Sequence, residues 1–258
     1  MHAVMVLALH HKGGSAWIHA TFRAIGKQLN IPYRRIDGNE ALSAEDRAPP
    51  VIISFLNANA QKREWIFEET ACKVFHMVRD PRDVIISGMH YHLKSTEARL
   101  HVPRKDFGGM TYQEKLNNLT TTKERYLFEL EDSPGVKQMK IWERPRPNCF
   151  ECKYEDLIQD TEMNLFSQVA LHLGFLPEEL PECRRIFWNN SLFGKKGEQV
   201  GVNPHIRSGE TRQWAKIFDQ SLGTAFVDRY GDLLVTLGYE KDNSWVDRLS
   251  PTVEALGA

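Results

Sequence analysis

An apolar run near the start of the chain opens directly into a glycine loop. The run Ala3-Val4-Met5-Val6-Leu7-Ala8-Leu9 is followed by His10-His11-Lys12-Gly13-Gly14-Ser15-Ala16-Trp17. A helical pattern then places Ile18, Phe22, Ile25 and Leu29 on one face. This order of strand, loop and helix predicts a phosphate cradle, because the loop N–H groups and the helix N-terminus point at one anion. The lysine precedes the glycines here, whereas in an ATP- or GTP-binding P-loop it follows them, beside a Ser or Thr that holds magnesium.

The bulk composition narrows the class of protein. A length of 258 residues suits one domain, so we predict a single domain over residues 1–258. The net charge of −1 gives no indication of a nucleic-acid face or a polybasic membrane patch. No stretch is long enough to span a membrane, and the first apolar run lacks the features of a signal peptide. We therefore expect a soluble, cytoplasmic protein with no nucleic-acid partner and no membrane span.

One pair of cysteines has metal-ligand spacing. Cys149 and Cys152 are placed like half of a zinc site, but the sequence has no second pair with that spacing. We interpret them as small residues on or near a strand and expect no bound metal.

Apolar runs alternate with helical patterns along the chain, which predicts an α/β fold with a mainly parallel central sheet flanked by helices in three layers. The predicted strands are Ala3–Leu9, Pro32–Ile36, Val51–Leu56, Lys73–Val78 and Cys149–Tyr154. The predicted helices are Ser15–Leu29, Ala60–Glu69, Arg82–Leu93, Tyr112–Leu130, Thr161–Leu173 and Gln220–Leu237. The glycine-containing stretch Phe193–Gly209 is predicted as a long loop.

A second motif follows the fourth predicted strand. Arg79 stands at the strand's carboxyl end, where open α/β sheets bind ligands, and Pro81 suits the first turn of the next helix. Ser87 lies two helical turns further on, so Arg79 and Ser87 are candidates to bind one phosphate. The alternative is that Arg79 pairs with Asp80 or Asp83 and only secures the turn between strand and helix. Together with the first loop, the motif predicts a ligand with two separated phosphates.

These motifs resemble those of the sulfotransferases that use 3′-phosphoadenosine 5′-phosphosulfate (PAPS). The loop from His11 to Trp17 is similar to their 5′-phosphosulfate loop, and the segment from Arg79 to Ser87 to their 3′-phosphate motif. The segment that begins at Tyr154 resembles one whose aromatic residue lies near the adenine. Arg207-Ser208-Gly209, followed by Trp214, resembles the loop that closes over the 3′-phosphate. The resemblance implies the P-loop-kinase-like sulfotransferase fold.

The resemblance also implies roles for individual residues. The backbone from Gly13 to Trp17, through Gly14, Ser15 and Ala16, would bind the 5′-phosphate. Lys12 would stabilise the bridging oxygen as negative charge develops on the departing phosphate, and no metal would be required. Arg79, Ser87, Arg207, Ser208 and Gly209 are the expected 3′-phosphate ligands, while Trp17 and Tyr154 would pack near the nucleotide. Trp17 is equally interpretable as a core residue of the first helix.

The largest departure from the family pattern concerns the general base. Cytosolic relatives have Lys-Thr-His at the end of the third strand, where this chain has Ser54-Phe55-Leu56-Asn57. Histidine suits a base at neutral pH, and His11, beside Lys12, is one candidate. Asp37, after the second predicted strand, is another. Other candidates are His10, His19, His90, His92, His101 and Glu40.

The resulting hypothesis is a sulfotransferase that moves a sulfonate group from PAPS to a hydroxyl or amine, leaving 3′-phosphoadenosine 5′-phosphate (PAP). A small molecule or a glycan is the expected acceptor, bound by the segments Leu93–Met110 and Phe193–Gly209; the oligomeric state stays open. One alternative is a nucleotide-dependent kinase of related fold, which the missing Gly-Lys-Ser/Thr order disfavours. A second is a non-catalytic nucleotide-binding module, which the missing Lys-Thr-His favours.

Overall fold

A parallel sheet forms the centre of the structure, a computed structural model that describes residues 3–38, 40–56, 59–68, 71–142, 147–199 and 208–251. Its strands are β1 (Val4–Leu9), β2 (Tyr33–Ile36), β3 (Val51–Leu56), β4 (Cys72–Val78) and β5 (Cys149–Lys153). They lie in the order β2-β3-β1-β4-β5, and every neighbouring pair is parallel. The predicted α/β class with a parallel sheet is confirmed, and β1 lies at its centre.

Helices fill most of the remaining described chain. The first six are α1 (Ser15–Gln28), α2 (Trp65–Glu68), α3 (Pro81–His92), α4 (Tyr112–Asn117), α5 (Thr122–Asp132) and α6 (Pro134–Ile141). They are followed by α7 (Tyr154–Leu157), α8 (Asn164–Leu173), α9 (Leu180–Asn190), α10 (Trp214–Ile217), α11 (Gln220–Tyr230) and α12 (Leu233–Thr236). In the part of the chain described, no helix has the length and apolar character needed to cross a membrane.

The chain divides into two compact units. The first comprises Met1–Arg79 and Ile141–Gly209 and contains the sheet with α1, α2, α7, α8 and α9. The second comprises Asp80–Lys140 and Glu210–Ala258 and is built from helices. Arg79, at the end of β4, is thus the last residue of the first segment of the sheet unit.

The first unit buries both faces of its sheet. Met5, Leu7 and Leu9 point to one face, where α1, α8 and α9 cover them through residues such as Phe22 and Phe166. Val4, Val6 and Ala8 point to the other face and pack with side chains that include Ile66 of α2 and Trp142. Burial on both faces explains why β1 is apolar without alternation, as strands at the centre of parallel sheets are. β1 therefore delivers the glycine loop from a rigid, buried support.

Arg82 forms the polar centre of the second unit. The Asp80 side chain accepts a hydrogen bond from the backbone N–H of Arg82, and Pro81 opens α3, as predicted. The guanidinium of Arg82 pairs with Asp80 at 2.8 Å and Glu240 at 2.7 Å and lies 3.4 Å from the centre of the Trp214 ring. Arg82, only 1% exposed, therefore secures the start of α3, a role that the sequence had offered as an alternative for Arg79.

Several predicted helix bounds are wrong, each for a local reason. The helix predicted over Tyr112–Leu130 is two helices, because Thr121 and Glu124 form a capping box that starts α5 anew. The helix predicted over Gln220–Leu237 breaks at Gly231, which has a φ of 59°. The helix predicted from Thr161 begins only at Asn164, after the left-handed Met163. A short 3-10 helix, Lys195–Gln199, lies within the predicted loop Phe193–Gly209, of which residues 200–207 are outside the described chain.

Candidate active site at the end of the central strand

The loop after β1 adopts a backbone conformation that few sequences accept. Lys12 has a φ of 61° and Gly14 a φ of 92°, so two of three successive residues are left-handed. The N–H of Gly13 donates to the carbonyl of His10 at 3.0 Å and closes the turn. The N–H groups of Trp17 and Ile18 donate to the Gly14 carbonyl at 3.1 and 3.3 Å and start α1. Alternation of this kind creates a concave backbone surface suited to anions.

Glycine is required at position 14 for two reasons. Its positive φ is strained for any residue with a Cβ. A Cβ placed there would also lie 2.7 Å from a ring carbon of Tyr154 and 3.1 Å from the Met77 side chain. The loop is therefore in close contact with residues at the carboxyl ends of β4 and β5, the two strands that follow β1 in the order of the sheet.

Arg79 joins these strand ends to the loop. Its Nη1 donates to the Lys12 carbonyl at 3.3 Å, and its guanidinium lies 4.6 Å from the centre of the Tyr154 ring. Arg79 is 7% exposed and Tyr154 is 6% exposed. The structure thus brings together Lys12, Gly14, Arg79 and Tyr154, which the sequence had selected from three separate segments.

Trp17 contributes both to the core and to this site. Its ring packs against Phe187 at a centroid distance of 5.1 Å and meets the Tyr154 ring edge-on at 6.1 Å. Within the described residues its Nε1 has no hydrogen-bond partner. The first turn of α1 carries no acidic residue, and no side chain from the described part of the chain caps it. The positive end of the helix dipole is therefore not offset by a carboxylate of its own first turn.

A family model described as the sulfotransferase domain matches residues 3–238. This chain belongs to the sulfotransferase domain family. The match extends over most of the sheet unit and of the helical unit.

A solved structure has the same fold. It is the crystal structure of mouse sulfotransferase SULT7A1 complexed with PAP, at a TM-score of 0.56 and 14% sequence identity. The alignment covers 95% of this chain and 88% of the mouse chain. At that identity the likeness concerns the fold, whose carboxyl strand ends hold the loop and Arg79. No curated protein sequence matches this chain.

The remaining nucleotide-binding candidates lie elsewhere in the sulfotransferase chain. Ser87 is in α3, in the helical unit, and Arg207 falls outside the described residues. Gly209 has a φ of 68°, and a Cβ there would lie 2.3 Å from Leu192. Ser208 precedes it. Among the described members of this group, Gly209 shows a local geometry that demands the residue found in the sequence.

The candidate bases differ in their surroundings. His11, which lies between His10 and Lys12 in the sequence, is buried. Asp37 pairs with Arg35 at 2.8 Å, and its side chain is 56% exposed. It follows β2, which is two strands away from β1 in the sheet order. The segment in place of Lys-Thr-His has Ser54 fully buried, and Asn57 lies outside the described residues.

Ser54 belongs to a buried cluster formed with His19 of α1 and Tyr33 of β2. Nδ1 of His19 lies 2.9 Å from the Ser54 hydroxyl and 2.9 Å from the Tyr33 hydroxyl. Burial lowers the pKa of His19 to about 4, and the nearby Arg35 acts in the same direction. His19 is therefore neutral at physiological pH.

A pair of buried histidines lies on the opposite face of the sheet. Nε2 of His10 lies 2.7 Å from Nε2 of His76, and Nδ1 of His76 lies 2.9 Å from Oε2 of Glu151. The His76 ring stacks on Trp142 at 4.0 Å. The sequence offers His10 only as a single candidate, because strand order is needed to place β4 between β1 and β5.

The two closely spaced cysteines cannot chelate one metal ion together. Cys152 packs in the core beneath α1, α8 and α9, whereas Cys149 packs against the core on the other face. Residues three apart on a strand point to opposite faces. Burial raises the pKa of the Cys152 thiol to about 12, which keeps it protonated. This pair is therefore structural, as the sequence analysis favoured.

Proposed function

We propose that this protein transfers a sulfonate group from PAPS to a hydroxyl or amine acceptor. One observation carries the proposal: the left-handed loop around Lys12 is in direct contact with Arg79 and Tyr154 at the carboxyl ends of β1, β4 and β5. These are the ends at which open parallel sheets bind ligands. Membership of the sulfotransferase family supports sulfonate transfer as the chemistry of this site.

The residues present fit a nucleotide with a 5′-phosphate. The turn from Lys12 to Gly14 supplies a backbone concavity, and α1 presents its positive end without a carboxylate in the first turn. Trp17 and Tyr154 supply aromatic surface beside the loop. The mouse relative is described as complexed with PAP, which supports this nucleotide as the product bound here.

The proposed ligands of the 3′-phosphate are assigned mainly from the sequence motifs. Arg79 is buried against the Lys12 carbonyl and the Tyr154 ring, which fixes the direction of its guanidinium. Its fork of donors matches the geometry of a phosphate. Ser87, Arg207, Ser208 and Gly209 complete the proposed set of ligands.

Lys12 has the central role in the proposed transfer. PAPS supplies a sulfonate activated by its bond to phosphate. As the acceptor oxygen forms a bond to sulfur, the bond between sulfur and the phosphate oxygen breaks, and Lys12 stabilises the negative charge left on that oxygen. The N–H groups of the loop and of the first turn of α1 hold the phosphate in place. The acceptor's proton passes to a base of the protein.

Calorimetry of nucleotide binding, followed by a transfer assay, tests the proposal. The protein should bind PAP much more tightly than AMP or ATP, and PAPS should be converted to PAP in the presence of an acceptor drawn from phenols, alcohols, sugars and amines. Equal affinity for PAP and AMP would reject the proposal. Magnesium-dependent turnover of ATP would instead indicate the kinase, and tight PAP binding without transfer to any acceptor would indicate the binding module.

A further inference from the structure

Three ionisable side chains form a continuous row across the sheet. His10 follows β1, His76 lies in β4 and Glu151 lies in β5, and these strands are neighbours. His76 and Glu151 are direct partners in the register, and His10 is two residues beyond Ala8, the β1 partner of His76. All three therefore point to the same face of the sheet, the face opposite α1.

The row extends from the active-site loop to solvent. His10 is 1% exposed and His76 is fully buried, whereas the Glu151 side chain is 35% exposed. His10 immediately precedes His11 and Lys12, and its carbonyl closes the loop by accepting from Gly13. The inner end of the row is thus part of the backbone that holds Lys12, and the outer end lies on the edge strand of the sheet.

The distances determine how many protons the row holds. A separation of 2.7 Å between two imidazole nitrogens requires one proton between them, so one ring donates and the other accepts. Glu151, as a carboxylate, accepts from Nδ1–H of His76 at 2.9 Å. With both rings neutral, Nε2 of His76 then accepts from Nε2–H of His10.

The same hydrogen bonds allow the row to accept one more proton. When a proton binds Nδ1 of His10, the proton on Nε2 of His10 moves to Nε2 of His76. His76 becomes an imidazolium that donates to both neighbours, and its positive charge lies beside the Glu151 carboxylate. No hydrogen bond of the row is broken, and the numbers of protons and charges balance.

We propose that His10, His76 and Glu151 form a relay that takes up the acceptor's proton during sulfonate transfer. The inference rests on the proposed function and supplies the base that the missing Lys-Thr-His leaves unassigned. The proton leaves the acceptor as its oxygen bonds to sulfur, enters the row at His10, and its charge is held at His76. After the product leaves, the reverse steps restore the neutral row: the proton on Nε2 of His76 returns to Nε2 of His10, and Nδ1 of His10 releases its proton.

The first test follows the ring nitrogens of the unliganded protein by ¹⁵N NMR across the range in which histidines titrate. The two rings are hydrogen-bonded to each other, and His76 is also hydrogen-bonded to Glu151. We expect His10 and His76 to take up one proton jointly, with the charge on His76. The conservative Glu151→Gln variant should move that uptake to lower pH, because it removes the adjacent negative charge. Two independent titrations, or no effect of Glu151→Gln, would overturn the relay.

The second test separates proton transfer from nucleotide binding. His76→Phe keeps a ring against Trp142 but removes both nitrogens. Its turnover of PAPS, with an acceptor or with water, should fall by about 10²-fold, the lower range for general acid–base catalysis. Its affinity for PAP by calorimetry should stay within about twofold of the wild-type value, since the loop backbone is intact. If the affinity for PAP fell by the same factor as the turnover, the row would have only a structural role, and the relay would be rejected.

Glu151→Gln keeps the test decisive if His76→Phe does not fold, because Glu151 lies on the exposed edge of the sheet. Its turnover should fall by a smaller factor, and the acid limb of its pH profile should move to lower pH, in step with the NMR midpoint.

His172→Gln and Glu162→Gln are matched controls from α8 and the loop before it. Loss of turnover in His11→Gln but not in the His76 and Glu151 variants would assign the proton to His11. Failure of the wild type to bind PAP rejects the proposed function instead, whereas the NMR result judges the row itself.

Discussion

Each face of the sheet carries hydrogen-bonded side chains around a buried histidine, and the two histidines differ in their partners. His19, in α1, has the hydroxyls of Ser54 and Tyr33 as partners and a pKa lowered to about 4. His76, on the other face, ends in the carboxylate of Glu151. Hydroxyl partners do not stabilise an imidazolium as a carboxylate does. The face with the carboxylate can therefore take part in proton chemistry, whereas the His19 face serves stability.

The largest effect on the rate of sulfonate transfer is expected at Lys12, in the glycine loop that follows β1. Lys12→Ala should reduce sulfonate transfer by about 10²- to 10³-fold, the usual effect of removing one donor to a developing negative charge. PAP should still bind, because the backbone N–H groups remain. Steady-state kinetics and calorimetry measure the two properties. Lys27→Ala, an exposed lysine at the far end of α1, is the control, and equal rates in both variants would remove Lys12 from the mechanism.

Acid should act on the other face through stability. The folded-state pKa of His19 lies below its unfolded value of 6.5, so the unfolded chain binds more protons as the pH falls. The contribution of this group is fully present above pH 6.5 and is lost as the pH falls to about 4, a change of about 3 kcal/mol. Urea unfolding across this range should show a smaller loss for His19→Gln than for the wild type. PAP affinity at neutral pH should be unchanged in the variant, and a large fall in that affinity would contradict the division between the faces.

A substitution of Arg79 tests nucleotide binding separately from proton transfer. Arg79→Ala should weaken PAP by about 10- to 150-fold, which corresponds to a charge-assisted hydrogen bond of about 1.5–3 kcal/mol. AMP, which lacks the 3′-phosphate, should be affected far less. Arg185→Ala, at an exposed pair with Glu182, is the control for loss of an arginine. Equal weakening of PAP and AMP would mean that Arg79 only supports the loop and the Tyr154 ring.

A backbone substitution tests the close packing of the loop. Gly14→Ala adds a Cβ at a φ of 92° and against Tyr154, so it should cost about 1–2 kcal/mol of stability from backbone strain, with further cost from the contact. Gly108→Ala is a matched control, because its φ of 65° carries the strain while no atom lies within 4 Å of the added Cβ. Denaturant midpoints and PAP titrations compare the two. If Gly14→Ala costs no more than Gly108→Ala, the packing against Tyr154 has no energetic weight.

The smallest effect is expected at Asp37. Its exposed pair with Arg35 lies two strands from β1, so Asp37→Asn should leave the transfer rate within about twofold and stability within about 0.5 kcal/mol. Kinetics in parallel with the His76 variant provide the comparison. A fall of two orders of magnitude would assign the acceptor's proton to Asp37 and contradict the relay.

The sequence predicted those features that depend on local pattern. Three features lie at the positions predicted from their residue types: β1, the glycine loop, and Pro81 at the start of α3. Arg79 and Tyr154 were selected as single motifs, and the parallel sheet then brought them to the same edge. Helix ends were less predictable, because Thr121 and Gly231 interrupt runs whose apolar spacing alone continues.

The histidine row shows why the rest could not be predicted. His10, His76 and Glu151 are separated by more than sixty residues at each step, and their meeting depends on β4 lying between β1 and β5. No periodicity within one segment contains that order. Similarly, the sequence identified Ser54 only as a departure from Lys-Thr-His, while the structure shows that it is a partner of His19.

The left-handed backbone of Lys12 bears on the free energy with which an anion would bind this loop. A lysine in that region is strained by about 1–2 kcal/mol, so the conformation persists only because the rest of the unit enforces it. That strain is part of the free energy of folding. For the phosphate of the proposed nucleotide, a loop held in this conformation by the fold would lower the entropy lost on binding.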